Sequence, residues 1–184
     1  MKNSINQLNA ISPIDGRYQN QVEELTEYSS EFAVIKYRTE IEIKYLIALS
    51  EIGVVRKINS GEQKILQKII DNFDIDEALK VKEIENETKH DVKAIEYYLK
   101  EKLSNTSLSD VSEFIHFGLT SEDVNNLTIR LLLKNALSEV IMRTVEALND
   151  EILNQSKKYK DLSMLARTHG QGAIPTTLGK EFLV

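Results

Sequence analysis

TSEDVNNLTIRLLLKNALSEVIMRTVEALNDEILNQSKKYK, Thr120 to Lys160, contains no glycine and no proline. Apolar residues recur along it at helical spacing: Val124, Leu127, Leu131, Leu137, Val140, Ile141, Val145, Leu148 and Ile152. A stripe of this period without a breaker predicts one long helix. At ~1.5 Å per residue, about forty residues span roughly 60 Å, more than the width of a small domain. A chain of 184 residues cannot cover such a stripe by itself. It predicts a long bundle completed by further residues, by other subunits, or by both. A plain coiled coil is the simpler alternative.

Upstream, helical periodicity continues. Phe32, Ile35, Ile41, Tyr45, Leu46 and Leu49 mark a first helix, closed by Gly53 as a C-terminal cap. Ser60 with Gln63 reads as a capping box before Ile65, Leu66, Ile69, Ile70 and Phe73. Asp74 and Glu77 open a short helix through Leu79 and Ile84, and Val92, Ile95, Leu99 and Leu103 stripe a fourth. SNTSLSD, Ser104 to Asp110, is the most linker-like stretch. A short helical turn around Phe114 to Phe117 follows it, ended by Gly118. No segment alternates with period two between hairpin turns, so the reading is all-α. It divides into an N-terminal helical domain, residues 1–111, and the start of a central long-helix bundle, residues 112–184.

Composition narrows the class. The chain is 41% hydrophobic and 28% charged, as soluble globular proteins are. A net charge of −6 argues against a general nucleic-acid binder, though a few local cations can still hold a small anion. Without cysteine there is no disulfide, thiolate nucleophile or cysteine-ligated metal. The start MKNSINQLNA is polar and lacks the apolar core of a signal peptide, and no run reaches the ~18 apolar residues of a membrane span. The expectation is a soluble, cytoplasmic protein.

The chemistry candidates are the three histidines and their neighbours. His116 lies among Phe114, Ile115 and Phe117 and reads as a packed residue on an apolar turn. His90 stands beside Lys89 at a helix start, where free backbone N–H groups favour a phosphate or carboxylate. Alternatively, Asp91 simply caps the helix and His90 faces water. Thr120 and Ser121 open the long helix; their hydroxyls can cap it with Asp123, or donate to a ligand carboxylate. His169, in ARTHGQG after the long helix, is the leading acid–base candidate. Gly170 and Gly172 let backbone approach a ligand there, and Pro175 suits the first turn of a following helix. Glu87 with His90 and Glu113 with His116 also form two Glu-x-x-His pairs, the spacing of a di-iron bundle. Each pair falls at a helix end rather than mid-helix, which weighs against that use.

Four segments in order, ISPIDGRYQNQV, TKHDVKAIEYYLKEKL, SEFIHFGLTSEDVNN and LARTHGQGAIPTTLGKE, resemble the adenylosuccinate lyase family, bacterial branch. That family lies within the superfamily of fumarase, aspartase and argininosuccinate lyase. The resemblance runs from about residue 10 to the end. It implies a homotetramer with a long central bundle and active sites assembled from three subunits. It also implies β-elimination of fumarate from adenylosuccinate and from the succinylated carboxamide ribotide SAICAR, without metal or organic cofactor.

By the same resemblance His169 is the acid that protonates the departing nitrogen, and His90 is the second catalytic candidate. Arg17 and Tyr18, then Lys89, His90 and Asp91, then Thr120 and Ser121, match substrate-contact segments that bind the nucleotide or a succinyl carboxylate. Lys89 stands where some relatives have Asn or Arg, and Gly172 replaces a proline. The family's serine-base loop, Ser-Ser-x-Met-Pro-x-Lys-x-Asn-Pro, is absent from these residues. The expectation is therefore roughly the first two-fifths of a lyase, inactive alone. The rival is a non-catalytic helical module that only associates with other subunits.

Overall fold

A computed structural model describes residues 7–184. Residues 1–6, most of the MKNSINQLNA stretch that carries the signal-peptide expectation, lie outside them. Among the described residues are eight α-helices and one hairpin: α1 Thr26–Ser29, α2 Glu31–Glu51, α3 Ser60–Asp71, α4 Ile75–Thr88, α5 Asp91–Leu103, α6 Ser121–Ala136, α7 Met142–Lys158, β1 Ser163–Thr168, β2 Gln171–Thr177 and α8 Leu178–Glu181. The fold is helical, as the periodicity predicts.

Caps explain most boundaries. Ser30 Oγ accepts the Ala33 N–H and starts α2. Gly53, at φ +80°, ends it, with Val54 N–H donating to the Leu49 carbonyl and Gly53 N–H to that of Ser50. This is the double bond of a glycine-closed helix end. The expected capping box at α3 lies one residue earlier. Asn59 accepts from the Gly61 and Glu62 N–H groups, and the Glu62 carboxylate accepts the Asn59 N–H at 2.9 Å. A carboxylate accepts more strongly than the Gln63 amide could, which draws the box to Asn59 and Glu62. Asp74 caps α4 through the Glu77 N–H.

The chain divides into two compact units, one ending at Ala136 and one spanning Leu137–Val184. In the first, α2 is buried on several sides. Ile35, Ile43, Leu46 and Leu49 join Leu66, Val81, Ile95, Leu99 and Leu103 in the main core. The Ser104–Asp110 stretch is tied down rather than loose. Leu108 is fully buried, and the Arg56 guanidinium grips the Ser107 carbonyl, Asp110 and Glu62 together.

Helix is assigned almost throughout the Thr120–Lys160 stretch. It is interrupted in pattern only by a π-helical turn, Leu137–Ile141, between α6 and α7. Much of its stripe is uncovered: Leu127 is 52% exposed, Val145 49% and Leu148 60%. In the second unit, Ser156 Oγ donates to the Gly179 carbonyl, and a Cβ on Gly179 would lie 2.4 Å from the Ser156 backbone carbonyl oxygen. Only glycine lets α8 approach α7 this closely.

The all-α expectation misses one element. Antiparallel β1 and β2 pair Thr168 with Gln171 and Leu165 with Pro175. Pro175 therefore sits in a strand of a two-stranded sheet, where its missing N–H can face solvent, not in the first turn of a helix. α8 instead begins after Thr177, whose hydroxyl accepts the Lys180 N–H.

Candidate functional site

The starts of α5 and α6 meet on the middle of α2. Ile41, Val92 and Val124, all buried, form a small apolar cluster with Leu119 and Leu131 against it. Val92 is the second residue of α5 and Val124 the fourth of α6, so burying these side chains draws the two helix starts together. Arg38 ties them by charge. Its Nη2 lies 2.8 Å from the Asp91 carboxylate, and its Nε donates to Asn125 Oδ1 at 3.0 Å.

At α5 two of the expected free N–H groups, those of Val92 and Lys93, are already taken. His90 is itself the N-cap: its Nδ1 accepts the Lys93 N–H at 3.1 Å, while Asp91 Oδ1 accepts that of Val92 at 2.9 Å. The cap is thus made by His90 together with Asp91, not by Asp91 alone. Because Nδ1 accepts, the neutral ring carries its proton on Nε2, and the side chain is half exposed. The capping His90 thus presents an N–H donor outward. Partial burial pushes the Asp91 carboxyl up, but the Val92 N–H and the Arg38 guanidinium outweigh this and hold it below the usual range.

At α6, Thr120 donates its N–H and hydroxyl to Asp123 Oδ2, at 2.8 and 3.1 Å. Thr120 and Asp123 therefore close the helix start, and Ser121, half-buried, begins the helix. The two N–H···O and O–H···O bonds hold the Asp123 carboxyl low.

His116 does more than pack. Its backbone is left-handed, at φ +62°. Its N–H donates to Glu42 Oε2 at 3.1 Å, and its ring Nδ1 lies 2.5 Å from Glu42 Oε1. Glu42 is fully buried, and that burial raises its carboxyl against the lowering influence of His116. Tyr45 OH donates to the neighbouring Phe117 carbonyl. Sequence reasoning missed Arg38 and Glu42. One signal was present: Glu42 interrupts the run Ile41–Ile43 on a helix whose apolar positions face the core.

Arg17 and Tyr18 lie on an N-terminal turn closed by the Tyr18 N–H to the Pro13 carbonyl. The Arg17 guanidinium lies over the Tyr18 ring at 5.2 Å, and both side chains are exposed beside Ala10, Ser12 and Pro13. The described contacts of this pair are with that segment rather than with the α5 or α6 starts.

His169 belongs to the second unit. It and Gly170 form the two-residue turn of the hairpin, at φ +50° and +75°. Positive φ at both positions is the requirement of a type I′ turn, whose twist suits the strands. The ring is exposed at the hairpin tip. Among the described residues, the non-glycine positions with positive φ are Lys89, His116 and His169, so each histidine segment carries one. Left-handed backbone is costly for such residues and concentrates where surrounding structure holds it for a purpose.

A di-iron arrangement finds no support in these contacts. Glu113 is exposed and pairs with Lys100, whereas His116 meets Glu42. Among the described residues no group of three or more His, Cys, Asp or Glu could hold a metal ion.

The family described as lyase matches residues 14–184. The chain is 48% identical over 180 residues to an adenylosuccinate lyase of Legionella pneumophila, covering 96% of this chain and 40% of that protein. It is 46% identical to one of Dictyostelium discoideum, covering 98% of this chain and 40% of that protein. The chain thus spans about two-fifths of the length of the curated relatives it matches. The crystal structure of a fumarate lyase from Mesorhizobium shares the fold at a TM-score of 0.71 and 19% identity, over 87% of this chain and 36% of that one.

Proposed function

Because this chain belongs to the lyase family, we propose that it is part of an adenylosuccinate lyase that eliminates fumarate from adenylosuccinate to leave AMP, and from SAICAR to leave AICAR. The geometric observation that carries the reading is the joining of the α5 and α6 starts on α2. It gathers the His90 and Thr120–Ser121 segments around one buried cluster and one guanidinium. The relatives at 46–48% identity supply the reaction class.

The elimination needs a base to remove a proton beside a carboxylate and an acid to protonate the departing nitrogen. We assign the acid to His169, on an exposed turn that a substrate can reach. The base belongs to a serine loop that these residues do not contain. His90 acts through its outward Nε2 edge as the second catalytic group, with Lys89 beside it. Asp91 supports this segment through Arg38. Thr120 and Ser121 bind a succinyl carboxylate, Tyr18 contacts the nucleotide, and Arg17 binds its phosphate, which a guanidinium can grip with two N–H donors. No metal or cofactor enters this scheme.

On this reading residues 1–111 form the N-terminal domain and residues 112–184 begin the central bundle of a homotetramer with shared active sites. The uncovered apolar residues of α6 and α7 support association. The setting is purine nucleotide biosynthesis in the cytoplasm. No described helix is long and apolar enough to cross a membrane.

Fumarate release tests the scheme. The purified 184-residue chain releases none without the serine loop, and measurable turnover by it alone refutes the division of roles. In the full-length protein, His169→Ala lowers kcat by roughly 10²-fold, the scale of a lost general acid. An unchanged kcat removes His169 from the chemistry. Arg17→Ala raises KM instead, and a normal KM opposes its phosphate role. The second reading, a helical module that only associates, is favoured by the same uncovered α7 face. Full-length protein that assembles yet cleaves neither substrate would establish it.

A further inference from the structure

We propose that Arg38 and Glu42, one helical turn apart on α2, are positioning residues that hold the two substrate-contacting segments in register without touching substrate. The inference rests on the lyase reading for its kinetic readout, and on contacts alone for the rest.

Residues 38, 41, 42 and 45 fall at i, i+3, i+4 and i+7, and so line one side of α2. Each holds a different piece of the candidate site. Arg38 bridges Asp91 at the start of α5 and Asn125 in the first turns of α6. Ile41 packs against Val92 and Val124 from the same two helices. Glu42 takes the backbone N–H and the ring of His116. Tyr45 takes the Phe117 carbonyl. His116 and Phe117 lead through Gly118 and Leu119 directly to Thr120 and Ser121. The left-handed turn at His116 sets where that short connection points, and Glu42 covers both hydrogen-bonding groups of His116 that the turn leaves facing inward.

Stability alone is a poor account of these groups. A buried carboxylate loses its water, and apolar residues of similar volume often serve a core as well as a buried charged pair does. What the pair supplies is direction: hydrogen bonds specify an angle and a partner, whereas apolar contacts leave register loose. The Arg38 side chain, only 11% exposed, likewise satisfies two partners on two different helices.

The test uses full-length protein. Glu42→Leu removes both acceptors while keeping most of the volume, and Glu42→Gln keeps one acceptor for the His116 N–H. Arg38→Met and Arg38→Lys make the parallel pair. Glu42→Leu and Arg38→Met raise KM for adenylosuccinate about tenfold or more, the scale on which small displacements of binding groups act. Gln and Lys return it to within about threefold. In hydrogen-exchange mass spectrometry, peptides over residues 115–121 exchange faster in Glu42→Leu, and peptides over 91–93 and 122–125 in Arg38→Met. Leu49→Ala, in the main core, lowers the melting temperature without moving KM.

Parent values of KM in both apolar variants overturn the proposal, even where exchange rises, because the strip is then only structural. An equal rise of KM in Leu49→Ala also overturns it, since general loosening would explain everything. A parent protein that does not cleave adenylosuccinate defeats the lyase reading instead. The positioning claim is then decided by exchange alone, and fails if Glu42→Leu leaves 115–121 at the parent rate.

Discussion

His90 has an observed job as a cap and a proposed one in catalysis, and substitution can separate them because they use different ring nitrogens. Nδ1 accepts the Lys93 N–H and starts α5, and the proposed lyase role falls to Nε2. His90→Ala removes both, whereas His90→Asn keeps a short side-chain acceptor at the cap and loses the imidazole. The neighbouring Val92 N–H stays bonded to Asp91 in either variant, so only one helix donor is released. The half-exposed setting lets water reach that donor. The loss should therefore lie in the lower range for caps, about 0.5–1 kcal/mol. Taking the first compact unit, roughly 130 described residues, as the block that unfolds, about 2.1 cal/mol/K each gives an entropy change of about 0.27 kcal/mol/K, so the melting temperature of that block falls by about 2–4 °C. Circular dichroism at matched protein concentration reads this in the full-length protein. Asn should restore the melting temperature to within about 1 °C. Turnover should fall by roughly 10²-fold in both variants. An Asn variant that melts as low as the Ala variant refutes the capping argument. An Asn variant with parent turnover refutes the catalytic one and leaves His90 a cap.

Two further outcomes are expected. The Glu62 carboxyl, gripped by Arg56 and by the Asn59 N–H, is held at about 2 against an ordinary 4.5. Its folded value is depressed, so its stabilisation is complete above pH about 5 and is lost as pH falls from 4.5 toward 2. Urea midpoints of Glu62→Gln and parent should therefore differ at neutral pH and converge in acid; a gap that ignores pH would contradict the Arg56 assignment. Val145→Asp combined with Leu148→Asp places charge on the uncovered face of α7 and should lower the assembly mass of the full-length protein in sedimentation. An unchanged mass would put the bundle contact elsewhere.

The helices were legible because their information is local. An apolar period near 3.6, Asp74 three residues before Glu77, and Gly53 after Leu49 each act within one or two turns. What escaped depended on partners far along the chain or on ambiguous turn chemistry. Asn59 and Ser60 both suit a cap, and the choice was decided by Glu62, whose carboxylate also answers Arg56. Ser104–Asp110 looks like a linker until Arg56, about fifty residues away, closes on Ser107 and Asp110. The hairpin was hidden because His169 takes the turn position where Asn or Gly is the usual signal, and because Pro175 suggests a helix start as readily as an edge strand.

The candidate site follows the same division. The candidates Arg17–Tyr18, Lys89–Asp91, Thr120–Ser121 and His169 could all be named as short strings, since each stands at an element end with its neighbours in sequence. What joins two of those strings is a strip of α2, and its residues lie far from what they bind: Arg38 reaches Asn125, 87 residues on, and Glu42 reaches His116, 74 residues on. In a helix otherwise read by its apolar period, such charges pass for ordinary surface residues. Apart from the isoleucines that flank Glu42, only burial distinguishes them. A charge that remains inside a core has given up its hydration, and in α2 that loss is matched by bonds to the backbone and side chains that carry the site. The residues proposed to meet the substrate are therefore written locally, while their spacing depends on a helix whose sequence looks purely structural.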